Sequence, residues 1–357
     1  MNTAIAKRRL HNQCITRAKC REPVDVVAWL GAVQAQEYAA ARWALALRMP
    51  EGTTDAEIGR ALDEGRILRT HVMRPTWHFV TPADIRWMLE LTAPRVHRAT
   101  AYYRRQLGLD TAILTRATAS FERALRDGKH LTRSELGVQL GRAGFVAKGV
   151  QLALLTMYAE IEGVICSGPR RGKQGTYALL AEGAPRSRLS RDEALAELTR
   201  RYFTSHGPAT IRDFLWWSGL TTPDAKRGLE MNRARHEVAE GQTYWSLGAT
   251  TAGGKRRRTV HLLPVYDEYL VAYRDREAVP HRPPATKSRS RGSVTFQHAL
   301  VIAGQVAGTW KPVRSASGLV VDVIPMRRLT GPERRALAET AARYGRFLDV
   351  PVSLSIA

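Results

Sequence analysis

Cysteines, long apolar runs and acidic residues are all scarce in this sequence of 357 residues. Its three cysteines, Cys14, Cys20 and Cys166, are too few and too scattered for a disulfide framework, which favours a reducing compartment. No stretch approaches the roughly 18 consecutive apolar residues of a membrane span, and residues 1–9 lack the apolar region of a signal peptide. These absences predict a cytoplasmic protein with no membrane partner.

The shortage of acidic residues leaves a large positive charge. Lys and Arg number 55 against 33 Asp and Glu, so the net charge is +22 and the isoelectric point is near 10.6. A surplus of this size indicates a polyanionic partner, either nucleic acid or an anionic membrane surface. Because no membrane segment is found, we expect nucleic acid.

Signatures of cofactor and metal chemistry are also missing. His11, Cys14 and Cys20 lack a second cysteine pair, and His71 and His78 are seven residues apart with no carboxylate at ligand spacing. The chain has no phosphate-binding loop and no dinucleotide glycine motif. A Ser/His/Asp site stays open, but no strand–Gly-x-Ser-x-Gly–helix context supports one. We therefore expect no metal and no cofactor.

A paired-carboxylate site is the usual machinery for breaking a glycosidic bond. The best candidates, Asp267 and Glu268, are adjacent in the sequence. In an extended segment adjacent side chains point to opposite faces, so the two carboxylates would not converge on one substrate. We expect a structural role for both.

Three units of similar pattern follow one another along the chain. After a basic N-terminal arm, each unit combines helices with strand-like segments, which is typical of a winged helix-turn-helix. The second unit is the clearest, because helices at 111–127, from 132, and at 148–162 precede two strands around a Gly-rich basic tip. We place the three units at 1–105, 106–185 and 186–252, and we expect an internal repeat.

Residues 253–357 follow a different pattern. Residues 260–270 are predicted to be buried, and 282–292 read as a loop. Strands at 299–304, 305–310 and 319–323 predict a β-meander with a basic connection, followed by a helix at 331–347 and an edge strand at 352–356. The fold class is therefore α+β, with three tandem winged helices and a β-rich C-terminal region.

Gln34 and Gln36 are the strongest candidates for chemistry. Val26, Val27 and Leu30 recur at helical spacing before them. Residues two apart diverge on a helix but point the same way in an extended segment, so a shared site requires the helix to stop near position 33. A neutral amide pair orients water without being a strong base, which suits a reaction with a good leaving group. The alternative is that the glutamines merely satisfy loop backbone groups, and spacing alone favours this alternative.

Three clusters of basic residues are candidates for phosphate contact. Arg170, Arg171 and Lys173 occupy the tip of the predicted wing, a basic run spans 255–258, and Lys311 and Arg314 lie in the late hairpin. Singly, each cluster reads as a solvated charge run. Together, across a repeat typical of nucleic-acid-binding proteins, they favour contact that is non-specific and strongly salt-dependent.

Three stretches together resemble a known family. They are Val-Gln-Ala-Gln at 33–36, Arg-Thr-His-Val-Met-Arg-Pro-Thr-Trp-His-Phe at 69–79, and Leu-Leu-Pro-Val-Tyr-Asp-Glu-Tyr-Leu at 262–270. The combination resembles the AlkZ-like, or YcaQ/AlkX-related, winged-helix DNA glycosylases. This resemblance implies three tandem winged helices in a C shape with a basic concave face for duplex DNA. It also implies excision of bulky N7-alkylated purines, including adducts or interstrand crosslinks made by natural products such as azinomycin B.

The resemblance also implies roles for individual residues. The family's catalytic Gln-apolar-Gln element corresponds to Gln34, Ala35 and Gln36. Related branches carry an acid at the second Gln position, so with Gln36 this chain is more similar to the azinomycin-resistance type. His71 and Arg74 are expected to support the site or contact the lesion strand, and Lys311 with Arg314 to probe a groove. Alkylation at N7 makes the purine a cationic leaving group, so orienting a water is the remaining task.

The resulting hypothesis is a monomeric, monofunctional DNA glycosylase for DNA repair or toxin self-resistance. The alternative is a winged-helix protein that binds DNA without chemistry, as a regulator or a chromosome-associated factor. Composition and repeat pattern fit both, and Gln34 and Gln36 separate them.

Overall fold

A computed structural model describes residues 3–248, 259–274, 297–316 and 318–357. The predicted basic run 255–258 and the predicted loop 282–292 lie outside these ranges. The described chain is a mixture of helices and sheets, as expected. None of the helices within these ranges combines the length and apolarity that crossing a bilayer requires.

The N-terminal part surrounds a small three-stranded sheet. Its elements are α1 (Thr3–Asn12), α2 (Pro23–Leu30), β1 (Val33–Gln34), α3 (Tyr38–Leu47), α4 (Asp55–Asp63), β2 (Leu68–His71), β3 (Trp77–Val80) and α5 (Ile85–Gln106). The predicted N-terminal arm is wrong for residues 3–12, because Ile5 and Leu10 are buried and hold this segment as helix α1. The strand order is β1–β3–β2, with Gln34 opposite His78.

The second part has the helices and the hairpin that the sequence predicts. It comprises α6 (Thr111–Leu125), β4 (Leu131–Thr132), α7 (Arg133–Arg142), α8 (Gly149–Ile161), β5 (Ile165–Arg171), β6 (Gln174–Leu179) and α9 (Leu180–Gly183). Thr132 and Glu135 form a capping box that starts α7. Strands β5 and β6 pair antiparallel, and a separate apolar core around Phe121 packs beneath them.

The third part repeats the sequence of helices followed by a hairpin. Its elements are α10 (Arg191–Ser205), α11 (Ile211–Ser218), α12 (Thr222–Met231), β7 (Arg235–Ala239) and β8 (Gln242–Ser246). Ser190, Thr210 and Thr221 cap the three helices through their side-chain oxygens, which explains why their starts are visible in the sequence. Tyr202 and Trp217 pack ring against ring in its core, with centroids 4.9 Å apart.

The C-terminal part is a five-stranded sheet with one long helix. It contains β9 (Val260–Leu263), α13 (Glu268–Val271), β10 (His298–Ile302), β11 (Gln305–Ser315), β12 (Gly318–Pro325), α14 (Gly331–Leu348) and β13 (Val352–Ile356). The order β13–β12–β11–β10–β9 confirms the predicted meander and the predicted edge strand. This sheet shares one apolar core with the N-terminal part, where Trp43 contacts Phe347 and its indole donates to the Leu262 carbonyl.

A buried ion pair joins these two parts. The Arg48 guanidinium donates to both oxygens of Asp267, at 2.8 and 2.9 Å, and the two side chains are 1% and 0% exposed. Arg48 also donates to the Gln13 side chain at 3.0 Å. Asp267 therefore has the structural role that its position next to Glu268 predicted.

Replacing Asp267 by alanine should destabilise the protein strongly. The Asp267→Ala variant leaves the Arg48 charge buried and unpaired, so we expect a loss of about 3 to 5 kcal/mol of unfolding free energy, measured by urea denaturation. The control is Glu64→Gln, which removes an exposed ion pair with Arg66 and should change the value by less than about 1 kcal/mol. Equal effects of the two substitutions would contradict this account.

Candidate active site

The segment that carries the two glutamines is extended. Helix α2 ends at Leu30, and Gly31 has a φ of 84°, a left-handed conformation that turns the chain out of the helix. Residues Val33 and Gln34 form β1, and the Ala35 amide continues the pairing by donating to the Trp77 carbonyl at 2.7 Å. The helix thus stops before position 33, as a site shared by Gln34 and Gln36 requires.

Gln34 is held from two sides. Its side-chain carbonyl oxygen accepts a hydrogen bond from the Arg74 guanidinium at 2.9 Å, and its backbone amide donates to the Glu268 carboxylate at 2.7 Å. The residue is 8% exposed. Because a cation fixes the carbonyl oxygen, the orientation of the whole Gln34 amide group is defined.

Gln36 is held more loosely. Its side-chain oxygen accepts from the Trp77 backbone amide at 3.4 Å, and its backbone carbonyl accepts from the Arg69 guanidinium at 3.4 Å. The residue is exposed. In the glutamine element, residues 34–36, the Gln34 amide is thus buried and fixed, whereas the Gln36 amide faces solvent.

Arg74 connects Gln34 to two further groups. Its guanidinium donates to the Trp216 carbonyl at 3.5 Å and to Nε2 of His78 at 3.4 Å. The Nδ1–H of His78 donates to the Thr76 carbonyl at 2.9 Å, which leaves Nε2 as the acceptor in the neutral imidazole. Burial, and then the charge of Arg74, hold the pKa of His78 well below its ordinary value.

Glu268 lies beneath Gln34 and is completely buried. One carboxylate oxygen accepts from the Gln34 amide; the other accepts from the Trp217 indole at 3.0 Å and lies 3.4 Å from Nε2 of His206. Burial alone raises the pKa of Glu268, but the nearby His206 and the hydrogen bond from the Gln34 amide lower it below its ordinary value. A buried carboxylate therefore anchors the backbone of the glutamine element.

Two positioning residues were missed by the sequence reasoning. For Glu268 the sequence predicted only a structural role, the same role as for its buried neighbour Asp267. Arg69 was not singled out, yet its guanidinium donates to the Ala35 carbonyl at 3.0 Å and lies 4.1 Å from the centre of the Trp77 ring. A signal was available for Arg69, because it lies two residues before His71 on one strand, where side chains two apart share a face.

His71 is connected to Gln36 through Trp77. Its Nδ1 is 2.5 Å from the Glu160 carboxylate, and its ring packs at 4.6 Å from Trp77. The backbone amide of Trp77 in turn donates to Gln36. His71 thus supports the site indirectly, whereas Arg74 contacts Gln34 directly.

The predicted DNA-contacting cations are spread over two hairpins. On β5–β6, Arg170 stacks over Tyr38 at 4.6 Å and Arg171 donates to Glu135 at 2.7 Å, while Lys173 is exposed. On β11–β12, Lys311 lies 3.4 Å from Asp322 and Arg314 is exposed.

Comparisons with known proteins identify the family of this chain. A sequence model of the family described as DNA glycosylase AlkZ-like matches residues 27–347. The chain belongs to this family. Over 307 residues it is 27% identical to an interstrand DNA cross-link repair glycosylase of Streptomyces sahachiroi, covering 81% of this chain and 82% of that protein. The solved structure of the Streptomyces sahachiroi DNA glycosylase AlkZ has the same fold, with a TM-score of 0.81, 24% identity and 99% of each chain covered.

Membership of the AlkZ-like family confirms the predicted resemblance and the predicted enzyme class, a DNA glycosylase. The alternative of a DNA-binding protein without chemistry is not favoured.

The imidazole of His78 should remain neutral in mildly acidic solution. An ordinary histidine is largely protonated at about pH 6, but burial and the adjacent Arg74 lower the pKa of His78. Histidine ring signals in an NMR titration should therefore show no protonation of His78 at that pH. In Arg74→Ala the pKa should rise, because the charge is gone and the ring is more exposed. A wild-type pKa near 6.5 would contradict the proposed neutral acceptor at Nε2.

Proposed function

We propose that this AlkZ-like protein hydrolyses the N-glycosidic bond of bulky N7-alkylated purines in duplex DNA. The substrates include natural-product adducts and interstrand crosslinks, and the product is an abasic site. The role is DNA repair or toxin self-resistance. The observation that carries the proposal is the fixed Gln34 amide beside the exposed Gln36 amide, with Arg74 and Glu268 setting its orientation.

The reaction needs little acid assistance. Alkylation at N7 makes the purine positively charged, so the bond from C1′ to N9 weakens and its electron pair leaves with the base as a neutral alkylpurine. Water, oriented by the two amides, adds through its oxygen to C1′ and loses its proton to solvent, because a neutral amide cannot hold it. The amides therefore contribute position rather than basicity.

The charges around Gln34 suit an oxocarbenium-like transition state. Arg74 alone would disfavour positive charge on the sugar. Glu268, one hydrogen bond from the Gln34 backbone, supplies a compensating negative charge in a buried setting. Arg74 and Glu268 together fix the Gln34 amide, and their opposite charges add no net charge to the site.

The architecture and charge of the chain also suit DNA binding. The first three parts of the chain each carry helices and a small sheet or hairpin, which supports three tandem winged helices. The family resemblance implies a C-shaped arrangement with a basic concave face, and a net charge of +22 suits binding of double-stranded DNA. The protein acts on this partner as a cytoplasmic monomer without a metal or cofactor.

Removing either amide should abolish most of the activity. We expect Gln34→Ala and Gln36→Ala each to slow release of N7-alkylguanine from duplex DNA by about a hundredfold or more, because the attacking water loses its orientation. The measurement is single-turnover base release, with the affinity for the same duplex measured in parallel. Gln34 should show the larger loss, because its amide is the one fixed by Arg74.

The matched control for this experiment is Gln106→Ala, an exposed glutamine at the end of α5. It should release base at the wild-type rate. If wild type and both site variants bind DNA and none of them releases base, the proposal fails. Excision of uracil, an uncharged and stable base, would also contradict it.

Lys311 and Arg314 should contribute to DNA affinity through contact with phosphates. Each of the Lys311→Ala and Arg314→Ala variants should reduce the slope of log affinity against log salt concentration by about one unit. Fluorescence anisotropy of a labelled duplex across a salt series measures this slope. Arg126→Ala, an exposed cation outside the proposed contact set, is the control. If both hairpin variants have the wild-type slope, the β11–β12 hairpin does not contact DNA phosphates.

A further inference from the structure

The connection between α1 and α2 holds two of the three cysteines of the chain. Cys14 follows α1, and Cys20 lies shortly before α2. Both are free thiols with little exposed surface, 2% for Cys14 and 7% for Cys20. Their side chains are hydrogen-bonded to each other. Two thiols held this close can react with each other once one of them is oxidised.

A cavity gives small molecules access to both cysteines. Its volume is about 650 Å³, and Cys14 and Cys20 both line it. Exposed residues, among them Arg17 and Arg21, line it as well, so the cavity opens to solvent. One water molecule occupies roughly 30 Å³ in the liquid, and hydrogen peroxide is little larger. A small oxidant can therefore reach thiols that have little exposed surface.

The cavity is positively charged. Arg17, Lys19 and Arg21 line it, and none of its described lining residues is acidic. Lys19 is held beside the cavity wall, because its Nζ lies 3.9 Å from the centre of the Trp29 ring. Positive surroundings favour the thiolate form of a cysteine, which is the form that attacks an oxidant.

The two thiols of the pair are not equivalent. The hydrogen bond from the Cys20 thiol lowers the pKa of Cys14 against the effect of burial, and the charges of Arg48 and Lys19 lower it further. The same hydrogen bond, together with burial, raises the pKa of Cys20. Cys14 is therefore the nucleophile of the pair, and Cys20 is the neutral thiol beside it.

Cys166 provides an internal comparison. It lies on β5 and is 1% exposed, and burial raises its pKa to about 12. A thiol with this pKa stays protonated at neutral pH and reacts slowly with oxidants. The third cysteine is therefore expected to be inert where Cys14 is reactive.

The thiol pair lies next to the ion pair that joins the N-terminal and C-terminal parts. Gln13, the neighbour of Cys14 in the chain, accepts a hydrogen bond from Arg48 at 3.0 Å. Its side-chain amide donates to the Tyr273 hydroxyl at 2.9 Å. Residues 13–22 between α1 and α2 form no helix or strand. A covalent bond between positions 14 and 20 would therefore brace an irregular segment that contacts Arg48.

We propose that Cys14 and Cys20 form a reversible oxidation site, at which a hydroperoxide converts the two thiols into a disulfide that braces the connection between α1 and α2. The proposal goes beyond the glycosylase function and does not depend on it. In the reducing compartment that the sequence predicts, such a disulfide would form transiently, when an oxidant is present.

The chemistry proceeds in two steps. The Cys14 thiolate attacks one oxygen of hydrogen peroxide, the O–O bond breaks, and the leaving hydroxide takes up a proton to become water. Cys14 is then a sulfenic acid. The Cys20 sulfur attacks the Cys14 sulfur, so the S–S bond forms and the S–O bond breaks, and the leaving hydroxide takes the Cys20 proton. Two thiols are oxidised to one disulfide, and one peroxide is reduced to two waters.

The test follows all three thiols of the reduced full chain during treatment with hydrogen peroxide. Alkylation of the remaining thiols in denaturant, followed by tryptic digestion and mass spectrometry, should show a disulfide between peptides 10–17 and 20–21. Dithiothreitol should reverse it. The free form of Cys14 should disappear at least about ten times faster than that of Cys166.

Two results of this measurement would overturn the proposal. One is that Cys14 and Cys20 stay free at a peroxide dose that oxidises free dithiothreitol. The other is that Cys166 reacts as fast as Cys14. Because the measurement uses the wild-type protein, it decides the proposal even if a substituted variant misfolds.

Substitutions separate the roles of the two thiols. In Cys20→Ser, oxidation of Cys14 should stop at the sulfenic acid, which dimedone traps. In Cys14→Ser, Cys20 should be oxidised at least about ten times more slowly than Cys14 is in Cys20→Ser. Cys166→Ser is the matched control and should form the disulfide at the wild-type rate. Equal rates for Cys14 and Cys20 would overturn the assignment of Cys14 as the attacking thiol.

The bracing effect is measured by thermal unfolding. A disulfide restricts the unfolded chain, so the oxidised wild type should melt at least about 2 °C above the reduced protein. Cys14→Ser, treated with the same peroxide dose, should show no such rise. A disulfide that forms but leaves the melting temperature unchanged or lower would contradict the brace.

Discussion

The acidic pair Asp267–Glu268 is the constraint on which the arrangement of this protein depends. Asp267 neutralises Arg48 in the core shared by the N-terminal and C-terminal parts, while Glu268 binds the Gln34 backbone and the Trp217 indole of α11. Two adjacent side chains thereby tie together segments more than 200 positions apart in the sequence. Because neither carboxylate is exposed, each needs its partners to be in place, so the fold and the position of the glutamine element form together.

This constraint explains how uncharged amides form a defined site. A glutamine side chain has three rotatable bonds, and in solution it would not hold a water in one orientation. Here Glu268 fixes the backbone of Gln34 and Arg74 fixes its carbonyl oxygen, while a neutral His78 accepts a further hydrogen bond from Arg74. The charged groups do not act on the substrate as acid or base. They hold a neutral group in place, which suits a reaction whose leaving group is already activated.

Local signals made much of the fold predictable. The start of α7 carries a Thr cap with an acidic residue three positions later, and the predicted start at 132 agrees with the structure. Helix α1 was missed because its place in the fold depends on the long-range burial of Ile5 and Leu10. Long-range packing also affects the wing, where the sequence predicted phosphate contact for Arg170 and Arg171. Their stacking on Tyr38 and bonding to Glu135 depend on how the second hairpin packs against its neighbours.

The sequence by itself determined the positive charge, the mixture of helices and strands, and the order of the elements in the second part, because composition, periodicity and capping act over a few residues. Only the tertiary structure decided that Gln34 is buried and Gln36 exposed, and that Arg69 and Glu268 hold the backbone of this segment. These features arise from contacts between residues far apart in the chain. The energy of such contacts depends on burial and exact geometry, which no local pattern of residues encodes.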